Sequence, residues 1–343
     1  MKFDKVSFEE TLGANVVEAE KCVGCGACVV VCPFSCLEYN GEGPDLVKEC
    51  RVCGICPQVC PKFEWSRPKL ERFVFDKEAK VEDEFGIYRQ ISVAQTTDDR
   101  TAMVGQDGGV VSTLLSFALK YRLIDSAVVS GIDQQRALYP VPRLVTTPEE
   151  VLRCAGTRYS YSPNILALTD AIKQKSTSVA FVGTPCQIRA VRKMQLAGLK
   201  HSKPVKFLIG LMCSECFTYD GLVKTHITGA LGLNPSDVRK VNIKGKILVE
   251  SKAATKTIPL AIAKKYARKS CQLCDDFSSE LADISMGGLG LNGWTFTIIR
   301  TEKGEKLFSS AVGGGYLNVR SADEESYALN LLTKLSKRKR KAL

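Results

Sequence analysis

Cys22-Val23-Gly24-Cys25-Gly26-Ala27-Cys28-Val29-Val30-Val31-Cys32-Pro33 returns further on as Cys50-Arg51-Val52-Cys53-Gly54-Ile55-Cys56-Pro57-Gln58-Val59-Cys60-Pro61. Both runs read Cys-x-x-Cys-x-x-Cys-x-x-x-Cys-Pro. Three thiolates at i, i+3 and i+6 can wrap three corners of an iron–sulfur cubane, while the fourth, led away by the proline, ligates the other cluster. The spacing therefore predicts one [4Fe–4S] cluster on Cys22, Cys25, Cys28 and Cys60 and a second on Cys50, Cys53, Cys56 and Cys32. Gly24, Gly26 and Gly54 let the backbone turn tightly round each cubane. A pair of zinc sites or reactive thiols would use the same residue types, but eight ligands with both prolines in place favour the clusters. Cys36 falls outside the pattern and reads as a small buried residue.

Outward from these runs, residues 1–66 read as a bacterial-type two-cluster ferredoxin fold, a wire for single electrons that needs a source and a sink. The start, Met1-Lys2-Phe3-Asp4, has no apolar export core and no small-residue cleavage site. Fifteen cysteines in such a chain point to metal ligation in a reducing, cytoplasmic setting rather than to disulfides. The longest mostly apolar stretch, Val110 to Leu119, is half the length a spanning helix needs, about twenty residues, so any membrane link runs through a partner. The first 90 residues carry 12 Lys+Arg against 16 Asp+Glu, net −4, and the remainder 36 against 21, net +15. An acidic head thus precedes a basic body suited to acidic proteins or acidic small molecules.

Residues 67–87 read as a charged linker. From Tyr88 strands and helices alternate: Ile91 to Ala94 as a strand, Val110 to Leu119 as a helix opened by Gly108-Gly109, and Ala127 to Val129 as a buried strand. Pro163 to Lys175 reads as a helix, Ser178 to Gly183 as a strand, Pro185 to Ala197 as a helix and Val205 to Leu211 as a strand, with a further helix from Tyr219. This alternation predicts an α/β body with a largely parallel sheet over residues 88–235. Residues 236–333 look β-rich, with a hairpin at Gly245, and residues 334–343 form a basic tail. The overall class is α+β / α/β.

Ligands of open parallel sheets bind beyond the carboxyl ends of the strands. Cys186 follows one strand, Cys213 and Cys216 follow the next, and Cys271 and Cys274 form a Cys-x-x-Cys pair. Together these can close a third cluster site, or they are buried structural thiols. The loop Gln106-Asp107-Gly108-Gly109-Val110-Val111-Ser112-Thr113 presents free N–H groups and a helix dipole to a phosphate, or is a plain tight turn. Thr157-Arg158-Tyr159-Ser160 places a cation beside hydroxyls, for an anionic cofactor or simply in a solvated turn.

Five segments taken together carry a resemblance: Gly108 to Leu115, Gly156 to Tyr159, Val182 to Ile188, the Cys271/Cys274 pair followed by Asp283 to Gly287, and Gly313 to Tyr316. In this order they resemble the family of coenzyme F420 hydrogenase/dehydrogenase beta subunits, and the layout with a two-cluster head is similar to that family's electron-input members. The resemblance implies FAD in the body, held by Gly108, Gly109, Val110, Val111, Ser112, Thr113, Thr157, Arg158, Tyr159, Ser160 and Thr184. It implies a third [4Fe–4S] cluster on Cys186, Cys213, Cys271 and Cys274, with Cys216 a rival for one place and Cys154 structural. The substrate would be reduced coenzyme F420, an acidic deazaflavin that matches the basic body. Hydride would pass to FAD and single electrons through the clusters to a partner, reversibly, with no catalytic side chain needed for the hydride step. That partner would be a subunit of a membrane dehydrogenase, hydrogenase or formate dehydrogenase complex, or a ferredoxin, in an archaeal-type energy metabolism.

Two other functions use the same residues. A ferredoxin-dependent FAD reductase of another substrate would reverse the flow, and a polyferredoxin-like wire would lack flavin. The basic tail reads first as a solvated appendage and next as a strip that docks an acidic partner or an anionic membrane surface; nucleic acid is not expected, because no aromatic residues interleave with its charges to stack on bases.

Overall fold

The computed structural model describes residues 3–80 and 83–341. Met1 and Lys2 of the expected start, residues 81 and 82 of the expected linker, and residues 342 and 343 of the tail lie outside the described residues. Along the head, a helical segment Glu9–Glu18 precedes the short helices α1 (Ala27–Val31) and α2 (Ile55–Val59). The hairpin β1 (Leu37–Tyr39) with β2 (Pro44–Leu46) lies between them. Gly26 (φ 77°) and Gly54 (φ 65°) start these helices in the left-handed region, where a side chain would be strained.

The stretch read as a linker contains a helix, α3 (Arg67–Phe75). Ser66 caps its start, accepting from the Lys69 N–H, Pro68 sits in its first turn, and Leu70 is buried. Its single buried leucine gives no helical stripe to read, which is why the sequence resembled a linker.

The body opens with β3 (Gln90–Thr96), α4 (Asp99–Val104), α5 (Val110–Lys120), β4 (Ser126–Ile132), β5 (Pro140–Val145) and α6 (Pro148–Arg153). The expected helix from Pro163 is a tight turn, Asn164–Ala167, running into the shorter α7 (Leu168–Lys173). β6 (Val179–Gly183), α8 (Pro185–Leu196) and β7 (Val205–Leu211) fall where the pattern put them, and Asp220–Ala230 is helical. β8 (Val238–Ile243), β9 (Lys246–Ser251) and β10 (Thr255–Pro259) form a small antiparallel sheet, turning at Gly245 (φ 68°). The short α9 (Leu260–Ala263) leads to β11 (Ile284–Gly287), β12 (Thr295–Ile299), α10 (Glu302–Gly313), β13 (Leu317–Ser321) and α11 (Ser326–Arg340).

Eight strands make the main sheet, in the order β13-β3-β12-β11-β7-β6-β4-β5. Its centre is parallel, with β4, β6, β7 and β11 side by side, but both flanks are antiparallel. The expected largely parallel sheet is therefore a mixed one. β6–α8–β7 is a crossover unit and must be parallel, whereas β4–β5 and β11–β12 are joined by short connections that reverse the chain. The strands of the expected β-rich stretch beyond residue 236 divide: three build the small sheet and three extend the main one.

One face of the sheet is covered by α5 and α10, through Val110, Leu114, Leu115, Ala118, Phe308 and Ala311. On the other face Val128, Phe181, Leu208, Ile188, Val191 and Met194 form one continuous apolar cluster with Val23, Ala27, Val30, Val31 and Val59 of the head. Head and body thus share a core. Lys193 of α8 is buried there and donates to the carbonyls of Cys60 (2.7 Å), Phe63 (2.7 Å) and Glu64 (3.3 Å). Arg189, one turn earlier, stacks its guanidinium 3.5 Å from the Trp65 ring centre.

The basic tail is not a solvated appendage: residues 334–340 are the last turns of α11. Ala328 and Leu332 are buried, Lys339 donates to the Cys271 carbonyl at 3.0 Å, and Arg340 pairs with Glu280 at 2.9 Å. Among the described residues no helix is long and apolar enough to cross a membrane.

Candidate cofactor sites

Each head run has the same local form. A left-handed glycine opens a five-residue helix, and the fourth cysteine leaves it extended (Cys32 φ −69°, ψ 107°; Cys60 φ −66°, ψ 124°) into the proline. Pre-proline sterics favour that extended state, which turns the fourth thiol away from its own run. Burial pushes the Cys25 thiol well above its ordinary value, and the nearby Cys60 and Cys22 add to the rise. Cys28 is raised in the same way, by burial and then by Cys25, Cys60 and Cys22. Cys56 is pushed up to about 12 by burial, with Cys53, Cys50 and Cys32 contributing. Cys25 and Cys28 thus sit near Cys22 and Cys60, and Cys56 near Cys53, Cys50 and Cys32, while Cys28 also lies near Cys56 and Cys25 near Cys186 of the body. Crowding so many dry thiols works against ionising any of them, and a cationic iron core reverses that balance.

Among the described residues no three or more His, Cys, Asp or Glu side chains converge on one point as a single ion requires. A cubane takes its thiolates at separate corners, so its ligands surround it rather than meet.

In the body, Cys186 sits at the start of α8 just past β6, and Cys213 and Cys216 follow β7. Together with Cys271 and Cys274 they line one small chamber, which Val23 of the head, Tyr161, Arg268 and Lys339 also wall. Cys213 Sγ lies 3.8 Å from Cys216 Sγ, the Cys216 N–H donates to Cys271 Sγ at 3.4 Å, and Thr184 Oγ1 is 3.3 Å from Cys186 Sγ. Burial pushes Cys271 and Cys274 up to about 11, Lys339 opposing it in both. A chamber of five soft donors fits an iron–sulfur group and gives one thiol more than a cubane uses.

Beside that chamber, at the carboxyl ends of β4, β6 and β7, lies a cleft with about 240 Å³ enclosed. This is below the roughly 300–1,000 Å³ usual for a ligand pocket, and the cleft continues open to solvent. Gly109, Val110, Val111, Ser112, Thr157, Arg158, Tyr159, Ser160 and Thr184 all line it. Gly108 and Thr113 do not. The Gly108 N–H donates to Thr295 Oγ1 at 3.0 Å and the Thr113 hydroxyl to Thr96 Oγ1 at 2.8 Å, so both brace the loop from behind. The N-terminus of the eleven-residue α5 opens at Gly109 (φ 67°). Cys154, read as structural, lines the cleft as well, as do Gly287 and Gly288. Gly313 to Tyr316 is elsewhere: it ends α10, and Tyr316 accepts a hydrogen bond from Lys120 at 2.7 Å.

Several polar atoms of the cleft wall are buried without a partner: Gln106 Nε2 and Oε1, Ser130 Oγ, Arg158 Nε and Gln187 Oε1. Arg158 spends its terminal nitrogens on the carbonyls of Ala155 (3.0 Å) and Cys154 (3.4 Å), and burial lowers its pKa. Buried polar groups are ordinarily satisfied. So many unsatisfied around one cleft fit a polar, anionic ligand such as a flavin dinucleotide. Gln106 and Gln187 belong to the motifs read from the sequence but were not singled out there. Asn164 and Met212, which also line the cleft, carried no local signal.

Profiles of the coenzyme F420 hydrogenase/dehydrogenase beta subunits match in two parts, that of their N-terminal portion over residues 91–169 and that of their C-terminal portion over residues 176–325. A 4Fe-4S binding domain profile matches residues 13–34. The beta subunit of the coenzyme F420 hydrogenase of Methanococcus voltae is 38% identical over 262 residues, which is 75% of this chain and 92% of that one. A subunit of the F(420)H(2) dehydrogenase of Methanosarcina mazei is 32% identical over 304 residues, 86% of this chain and 83% of that one. A chain in the solved F420-reducing [NiFe] hydrogenase complex from Methanosarcina barkeri superimposes with a TM-score of 0.73 at 32% identity, covering 77% of this chain and 92% of its own length.

Proposed function

The chain belongs to the family of coenzyme F420 hydrogenase/dehydrogenase beta subunits, and from that we propose that it oxidises reduced coenzyme F420 on a bound FAD and delivers single electrons, through iron–sulfur sites, to a partner subunit or ferredoxin. The observation that carries this reading is the adjacency of the cleft with its unsatisfied polar wall and the five-cysteine chamber. Tyr161, Thr184 and Cys216 line both. FAD supplies the step that neither neighbour can make alone, because deazaflavins exchange hydride and iron–sulfur groups exchange single electrons.

In this reading Gly109 to Ser112 and the α5 dipole hold the diphosphate. Arg158 offers its free Nε–H to an anionic oxygen, and Gln106 and Gln187 hydrogen-bond polar edges of the ligand. Cys186, Cys213, Cys271 and Cys274 hold the body's cluster, with Cys216 the alternative to Cys213. Cys22, Cys25, Cys28 and Cys60 hold one head cluster, and Cys50, Cys53, Cys56 and Cys32 the other. The acceptor is a second protein of the kind the relatives' names describe, a hydrogenase or dehydrogenase complex.

Anaerobic purification, iron and flavin analysis, and addition of reduced F420 with a viologen acceptor test the proposal. It expects about twelve irons, four for each of three sites, one FAD, and oxidation of the deazaflavin. About eight irons with no response even after FAD is added would leave a wire without flavin chemistry and sink the proposal.

A further inference from the structure

The two head sites are not equivalent with respect to the body. Val23, between Cys22 and Gly24, is itself a wall of the five-cysteine chamber. Across that wall lie Tyr161 and Arg268. The Tyr161 hydroxyl is 3.9 Å from Cys186 Sγ, and the Arg268 guanidinium lies 4.7 Å from the Tyr161 ring centre. The Arg268 backbone N–H donates to the Cys216 carbonyl at 3.0 Å, while its Nη2 reaches into the head and donates to the Glu42 carbonyl at 3.1 Å. A Cβ on Gly24 would sit 2.6 Å from that nitrogen, so the guanidinium lies directly against the first cysteine run. Cys60, the fourth ligand of the same site, is tied to the body by the Lys193 ammonium on its carbonyl. The other head site has a solvent-facing side: beside Cys32, Cys50 and Cys53 stand Phe34, Leu46 and Val52, all exposed.

Resting on the function proposed above, we propose that the Cys22/Cys25/Cys28/Cys60 site is the head's point of exchange with the body, and that Arg268, stacked on Tyr161 between that site and the five-cysteine chamber, is a positioning residue that sets the two sites' potentials together. The Cys50/Cys53/Cys56/Cys32 site then faces the partner. The exchange is of one electron, lost by one site and gained by the other, with no bond made or broken. A fixed cation lying between two electron-accepting sites stabilises the added negative charge on both, so it raises both potentials; the far site, one cluster further on, feels it least.

The test is an EPR-monitored redox titration of the holoprotein carrying Arg268→Gln. Cys53→Ser, which alters the far site's signal, assigns the two head signals. Lys306→Gln on α10 makes the same change of net charge away from the chamber. The expected result is that the body signal and the near head signal both move to more negative potential, the far head signal keeps its place, and Arg268→Lys restores most of the shift. A shift of the body signal alone, an equal shift of all three, or the same shift with Lys306→Gln overturns the proposal. Should Arg268→Gln lose iron, Arg268→Met takes its place under the same criteria: body and near head signals both moving negative with the far one unmoved supports the proposal, and any other pattern overturns it. Any of these failures leaves iron content and F420 oxidation by the wild type untouched, so they are distinguishable from failure of the functional reading.

Discussion

Replacing Lys193 by methionine should loosen the head from the body without unfolding either. Lys193 is 7% exposed and its ammonium donates to three carbonyls at the junction, two of them at 2.7 Å. Burial pushes its pKa down to about 8, so at pH 7 the donors are still in place. Methionine keeps the volume of the stem and removes every donor. Each carbonyl left dry costs about 1–3 kcal/mol. With the 3.3 Å bond counted as weak, the two short ones set a loss of about 2–6 kcal/mol, and about 3 kcal/mol is a conservative figure, equal to roughly a hundredfold in the docking equilibrium. Native-state hydrogen exchange of the anaerobic holoprotein reads this directly. Amides around residues 60–66 should exchange roughly a hundredfold faster, while those of β6 and β7 in the sheet keep their protection. Unchanged exchange at 60–66 would refute the docking role. A uniform loss across β6 and β7 would refute it as well, by making Lys193 a determinant of the whole core.

Three further outcomes follow from the geometry. Gly108→Ala places a Cβ 2.5 Å from the Ala94 carbonyl oxygen and 2.8 Å from the Thr295 nitrogen; the loop must shift, and flavin retained after gel filtration should fall at least about tenfold, equivalent to about 1.4 kcal/mol, with iron content unchanged. Asp283 is fully buried and accepts from Leu208 N–H (2.7 Å), Arg192 (2.9 Å) and Thr301 (2.9 Å), with Lys303 at 3.2 Å; Asp283→Asn strands the cations and should lower stability by about 3–5 kcal/mol in denaturant melts. Burial raises the Asp283 pKa, but Arg192 and Lys303 outweigh it and hold the carboxyl below its ordinary value. Its stabilising share is therefore present above about pH 4 and lost as pH falls through the lowered folded-state pKa, so Asp283→Asn should flatten the acid limb of the stability curve. Finally, Cys216→Ser should keep the body's iron and Cys213→Ser should lose it; the reverse pattern of iron analysis would move the ligand role to Cys216.

What could be read in the sequence is what local chemistry imposes. The cysteine runs declare themselves because three candidate ligands of one cubane fall within seven residues and the proline directs the fourth away. β6, α8 and β7 declare themselves because a buried parallel strand is apolar throughout and its crossover helix begins at a proline. The cleft's front wall is legible for the same reason: Gly109 opens a helix, and Arg158 stands among hydroxyls. The tertiary structure decided the rest. The antiparallel flanks of the sheet depend on which strand pairs with which, and neither β3 nor β13 carries its partner's identity in its own residues. Arg189, Arg192 and Lys193 are charged residues that an isolated α8 would turn to solvent. They are buried only because the head lands on that face, bringing Trp65 and the carbonyls of Cys60 and Phe63, with Asp275 and Asp283 arriving from the far end of the chain. The same holds for Arg268 and Tyr161, which lie just outside the motifs read from the sequence. Their place between a head site and the body's chamber exists only once the sheet has closed and the first cysteine run has packed against it, since pairings across such separations in sequence are set by the shape of the shared core and not by any local propensity.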